Sequence, residues 1–148
     1  MNQPSYLPPG SYAEKPGMVT TVMILTLVSG ILNILLALGL TATIVLGTFG
    51  IGLLCAPITI LPGILGIFEI LYAVKLMSNP PQPVVPSQAL AIMEICMILF
   101  GNIVSTVAGI LALVFYNDIT VKTYFAKING QPQPSPYPMG PNNMGPSA

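Results

Sequence analysis

Charge is what this chain has least of. Only 5% of its 148 residues are charged, against 53% apolar, whereas soluble domains carry about a quarter charged residues. The four acids (Glu14, Glu69, Glu94, Asp118) cancel the four lysines, and arginine, histidine and tryptophan are absent. So few charges cannot clothe a water-facing surface, which excludes a soluble enzyme. A nucleic-acid binder is excluded too, because nothing supplies the basic face that neutralises phosphates. With no histidine and with carboxylates placed singly, no zinc or iron site has its ligands, and no cofactor motif is present. The two cysteines, Cys55 and Cys96, sit in apolar runs and make no disulfide framework. The N-terminus lacks the basic start and early apolar run of a signal peptide, so the first span is expected to serve as its own insertion signal.

What the chain has in abundance is uninterrupted apolar sequence. The expected fold is an all-α integral membrane protein, a small bundle of three transmembrane helices (alternatively four) in a multi-pass cell-membrane protein. Residues 1–17 and 129–148 are Pro-rich and have little to bury, so both are expected to be disordered tails. The helical domain, 18–128, divides into spans of about 18–46, 53–77 and 88–116. Gly47-Thr-Phe-Gly-Ile-Gly52 forms the first turn, and the four prolines of 78–87 end the second helix. Four spans would require a cut near Thr41 and Pro57 or at Gly101-Asn102, each leaving at least one helix under the roughly 17-residue minimum or nearly without a loop. Three spans put the termini on opposite sides and divide the lysines evenly, so the positive-inside count ties. Anionic lipid attracting Lys122 and Lys127 then favours a cytoplasmic C-terminus. After Asp118, a cap, Val121, Tyr124, Phe125 and Ile128 form an apolar stripe over about 119–128, ended by Asn129-Gly130. This amphipathic helix either lies among the lipid headgroups or prolongs the third span.

Polar residues inside apolar spans carry the functional signal. Glu69 lies eight residues before Met77 and Glu94 seven after Ser87, which places both about 10–12 Å from one boundary on neighbouring antiparallel helices. At 100° per residue, Glu94 shares a stripe with Gly101, Ser105, Ala108 and Ala112. Gly101, Ser105 and Gly109 make a small-xxx-small packing seam. Glu69 aligns with Pro62, Gly66 and Ala73, and on the first span Thr26, Ser29, Asn33 and Ala37 align. Glu69 and Glu94, with Asn33 and Asn102 near them, are the intramembrane polar candidates. They either fix helix register by hydrogen bonding or handle protons or cations. The functional expectation is a non-enzymatic interaction or accessory subunit, packing laterally with itself as a homo-oligomer or with a larger membrane complex in the lipid bilayer. The alternative is a small oligomeric proton or ion conductor using Glu69 and Glu94.

The runs from Pro62 to Met77 and from Gly109 to Phe125 resemble uncharacterised small bacterial multi-span membrane proteins. Those carry a Pro-rich or zinc-ribbon tail and a terminal Leu-Val-Phe-Leu-Asn-Asp-Pro-Glu-Val-Lys-x-Tyr-Phe-like stretch. This chain departs from that pattern at Ile119-Thr120, where Pro-Glu would stand, and has no zinc ribbon. The resemblance implies a glycine-rich multi-span build and no particular activity.

Overall fold

The computed structural model describes residues 14–132, all helical or connecting, with no strand among them; the sequence expectations for most of both tails fall outside that range. The first helix, α1 (Gly17–Gly47), runs unbroken, with no proline inside it, as far as the glycine-rich turn. That turn holds Phe49 and Gly50 at φ 51° and 93°. A 3-10 turn (Ile51–Cys55), the short α2 (Ala56–Thr59) and α3 (Leu61–Met77) return the chain. Pro57 and Pro62 occupy the first turns of α2 and α3, where no amide bond is lost. Gly17–Gly47 and Ile51–Met77 are each long and apolar enough to cross a membrane.

The sequence expectation of one span over 88–116 is corrected here. Helix α4 (Gln88–Cys96) tightens into a 3-10 turn (Met97–Phe100) and stops at Gly101, which takes φ 75°. Asn102 then caps α5 (Ile103–Asn117), its side chain accepting from the Ser105 N–H. The chain doubles back. A Cβ on Gly109 would run into the Ala91 carbonyl and come within 2.8 Å of Glu94 Cβ, so α4 and α5 lie side by side as a hairpin. The physical reason is local: a left-handed glycine followed by an Asx cap ends one helix and starts another. At 1.5 Å per residue, 15-residue α5 is about 22 Å long, too short for a bilayer core of about 30 Å.

Asp118 caps α6 (Ile119–Ile128), with the Thr120 N–H donating to Oδ1 at 2.7 Å. Helix α6 turns 78° away from α5, and the bent pair is a broken span or a re-entrant segment, so two or three apolar helical segments are long enough to cross a membrane. The stripe of α6 faces the bundle: Val121, Tyr124 and Phe125 are buried against Val19, Val22, Leu76, Ala112 and Tyr116. Lys15 Nζ donates to the Ser78 carbonyl at 3.2 Å and Asn129 Nδ2 to Val84 O at 2.9 Å. Both ends of the described chain therefore gather beside the 78–87 connection, at one end of the bundle rather than at opposite ends.

Glycine sets the distance between helices. On α1 and α3, a Cβ at Gly66 would stand 2.5 Å from Gly30 O, and one at Gly30 2.8 Å from Gly66 O, so the two backbones touch. Gly101, by contrast, meets nothing within 4 Å. It makes the turn and is not part of the packing seam expected from its spacing with Ser105 and Gly109.

These surroundings rank the glycines. Gly66→Leu and Gly109→Leu are expected to fall at or above the upper end of the roughly 1–3 kcal/mol usual for overpacking. Gly101→Ala should lose only the ~1–2 kcal/mol of a left-handed backbone. Thermal aggregation of detergent-solubilised protein reads the order; equal tolerance at all three would mean that the helices do not touch here.

Candidate functional site

Every polar residue that the helical periodicity aligned on α1 points inward. Thr26, Ser29, Asn33 and Ala37 are buried, as are Glu69 on α3, Glu94 on α4 and Ser105 on α5. Asn102, at the hairpin tip, reaches the same cluster. The structure thus brings together Asn33, Glu69, Glu94, Asn102 and Ser105, while Gly109 supplies the close approach of α4 and α5 beside them.

The hydrogen bonds here have a fixed direction. The Ser105 N–H can only donate, so Asn102 presents Oδ1 to it at 3.2 Å and must turn Nδ2 the other way. That Nδ2 donates to Asn33 Oδ1 at 2.7 Å, which Ser105 Oγ also reaches at 3.1 Å. Asn33 is then left with Nδ2 to give, and it bridges both Glu69 oxygens at 3.1 and 2.9 Å. Ser29 Oγ donates to Ser105 Oγ at 2.8 Å and closes the cluster. One backbone amide therefore orients two side-chain amides and makes Glu69 the accepting terminus.

Glu94 has no such support. Its side chain is 1% exposed, and neither carboxyl oxygen has a hydrogen-bond donor among the described residues. A buried polar atom without a partner costs about 1–3 kcal/mol, more if charged, so this orphan requires an explanation. It stands across from the buried Glu69 carboxyl of α3, close enough for the two to influence each other's charge. Two acceptors opposed in this way gain a bond only if something positive comes between them.

A second polar pair lies between the carboxyls and the 78–87 connection. Tyr116 Oη donates to Tyr72 Oη at 3.1 Å; Tyr72 donates onward to Val85 O at 3.1 Å and accepts from the Ser87 N–H at 3.3 Å. Both tyrosines stand near helix ends, where interfacial anchors are common, yet they turn inward to pair with each other. The signal was present, because Tyr72 follows Glu69 by three residues and Tyr116 continues the Ser105–Ala108–Ala112 stripe. In the opposite direction the polar column stops at Asn33 and Asn102. Past them, polar side-chain contact between α1 and the returning segment comes from Thr41 and Thr59, 2.8 Å apart. Among the described residues no cluster of three metal-ligating side chains occurs.

No protein-family model matches the chain, and neither a curated protein nor a solved structure matches it. The chemistry of the site therefore rests on its own geometry: a directed cluster ending on one carboxyl, with an unpartnered carboxyl opposite.

Asn33 is the keystone of this cluster. Asn33→Leu removes a donor and an acceptor at once and leaves Glu69, Asn102 and Ser105 each short of a partner, for which about 3 kcal/mol or more of destabilisation is expected. Ser29→Ala removes one neutral bond, worth about 1 kcal/mol. Thermal unfolding in mild detergent compares the two; similar small losses would show that the amide chain does not hold the helices.

Proposed function

We propose that the protein is a small integral membrane protein of the cell membrane, non-enzymatic, acting as an interaction or accessory subunit by lateral packing with itself or with a larger membrane complex. α1 and the segment 51–77 each cross the bilayer, and the α4–α5 hairpin enters it from one side. What supports insertion is the inside-out distribution of polarity: Ile24, Leu35, Phe68, Leu71, Ile92 and Val107 face outward while the serines, asparagines and glutamates face in. All four lysines fall on the end that holds the hairpin mouth and α6, and the opposite turn, 48–56, carries no charge. By the lysine excess of cytoplasmic segments, that end faces the cytoplasm.

The observation that carries lateral packing is a groove of about 330 Å³ floored by Ala37, Thr41 and Gly63 and walled by Leu38, Ile64 and Ile67. It exists because the hairpin tip stops at the level of Asn33, leaving the far halves of α1 and α3 without a third helix. Small residues in such a position admit the close approach of another helix. The unpartnered carboxyl of Glu94 favours a second reading, a small oligomeric proton or ion conductor. A single chain would not conduct, since its polar column ends at Asn102; several copies would have to complete the path.

Two outcomes are expected. On a Cys55→Ala, Cys96→Ala background, Glu14→Cys and Lys127→Cys should label from the cytoplasmic side and Phe49→Cys from the other; labelling of Glu14→Cys and Lys127→Cys from opposite sides would refute the topology. Leu38→Trp with Ile64→Trp fills the groove without entering the core. The double variant should release the assembled species to the single chain on size-exclusion chromatography in mild detergent, at unchanged thermal stability. An unaltered assembly would remove the groove as the packing face.

A further inference from the structure

The orphaned carboxyl of Glu94 and the orientation of the amides opposite it define a binding site. Glu69 accepts from Asn33 Nδ2 through both oxygens, so its acceptors find a donor within the bundle. Glu94 meets it with two bare oxygens in a place almost wholly withdrawn from solvent. Ser29 and Asn33 from α1 and Ser105 from α5 line the cluster around the pair, and the paired hydroxyls of Tyr72 and Tyr116 lie beyond it toward the 78–87 connection. None of these brings positive charge, and Lys75, on α3 itself, is exposed on another face. The positive species must therefore come from outside.

We propose that Glu69 and Glu94 bind one proton between them, carried on Glu94 and donated to Glu69, and that it exchanges with the lysine-bearing end of the bundle past the Tyr72–Tyr116 hydroxyl pair. Asn33 argues for a proton over an alkali cation. A bound metal ion would need oxygens directed at it, whereas the Ser105 amide forces the Asn33 N–H group, not its carbonyl, onto Glu69. The proton supplies the donor that Glu94 lacks and removes one of two facing charges. On release, Glu94–COOH becomes Glu94–COO⁻ and the proton passes to water at the 78–87 connection. There Tyr72 Oη already bonds to Val85 O and Ser87 N, so the tyrosine pair stands at the mouth of the site. With the column closed at Asn102, exchange is one-sided. The site holds a proton whether the chain serves as an accessory subunit or as part of a conductor.

Infrared spectroscopy of the full-length protein in detergent, with ¹³C-carboxyl glutamate to separate Glu from Asp118, tests this directly. At neutral pH one protonated-glutamate C=O band is expected, absent in Glu94→Gln, retained in Glu69→Gln, and lost reversibly in alkali while the helices persist. In D2O the band should shift by deuteration, at least tenfold more slowly in Tyr72→Phe with Tyr116→Phe than in the parent. Should Glu94→Gln fail to fold, the presence and alkaline loss of the band in the parent protein still decide the matter. No protonated band, two such bands, or a band that resists alkali in the folded state would each overturn the proton site. Replacement of the band by stoichiometric sodium binding would overturn it in favour of a metal ion. Exchange unaffected by the tyrosine substitutions would overturn the route.

Discussion

A single backbone amide, that of Ser105, sets the direction in which the core hydrogen bonds run. It exists as a free donor because α5 begins there, and α5 begins there because Gly101 and Asn102 end one helix and cap the next. Asn102, Asn33 and Glu69 fall into line behind it. Three helices, α1, α3 and α5, contribute to this cluster, so it acts across the bundle rather than along one element. In a chain whose outward helix faces are mainly apolar, apolar packing alone supplies little to distinguish one rotation of a helix from another. The polar cluster does, because any rotation away from it leaves amides and carboxyls unpaired in a medium that offers them no water.

Much of this was legible in the sequence. The 3.6-residue period placed Ser29, Asn33, Glu69, Glu94 and Ser105 on inward faces, and those faces meet. The α6 cap at Asp118 and its apolar stripe were also readable, since an Asx cap and an i, i+3, i+4 pattern are local signals. A reversal at Gly101-Asn102 leaves helices too short to cross a bilayer, which is why span length alone favours a continuous helix there. That arithmetic holds only for segments obliged to cross. A hairpin need not, provided that its tip is buried in protein polar groups, as Asn102 is by Asn33. Length rules speak to spans, and the decisive contact here joins residues 69 positions apart, which no local pattern records. The same blindness concealed the tyrosine pair.

The reversal has consequences well beyond its own turn. It moves Lys122 and Lys127 to the end that holds Lys15 and Lys75, so a lysine count that was tied becomes one-sided. It also turns the stripe of α6 into a lid over the bundle end rather than a membrane-facing surface: Phe125 stacks edge-on against Tyr116 with ring centroids 6.1 Å apart. Because the hairpin stops at Asn102, the far halves of α1 and α3 are left as a two-helix layer with an open groove. The near half is thus polar inside and closed by α6, and the far half is apolar with an open groove.

Everything therefore depends on whether residues 88–117 double back. Spin labels on Gln88→Cys and Asn117→Cys, in a Cys55→Ala, Cys96→Ala background and in lipid, measure it by pulsed dipolar spectroscopy. The hairpin predicts a separation set by adjacent helix axes, about 8–10 Å plus the label arms. A continuous span over the same residues would hold the labels about 44 Å apart, and that result would contradict the account.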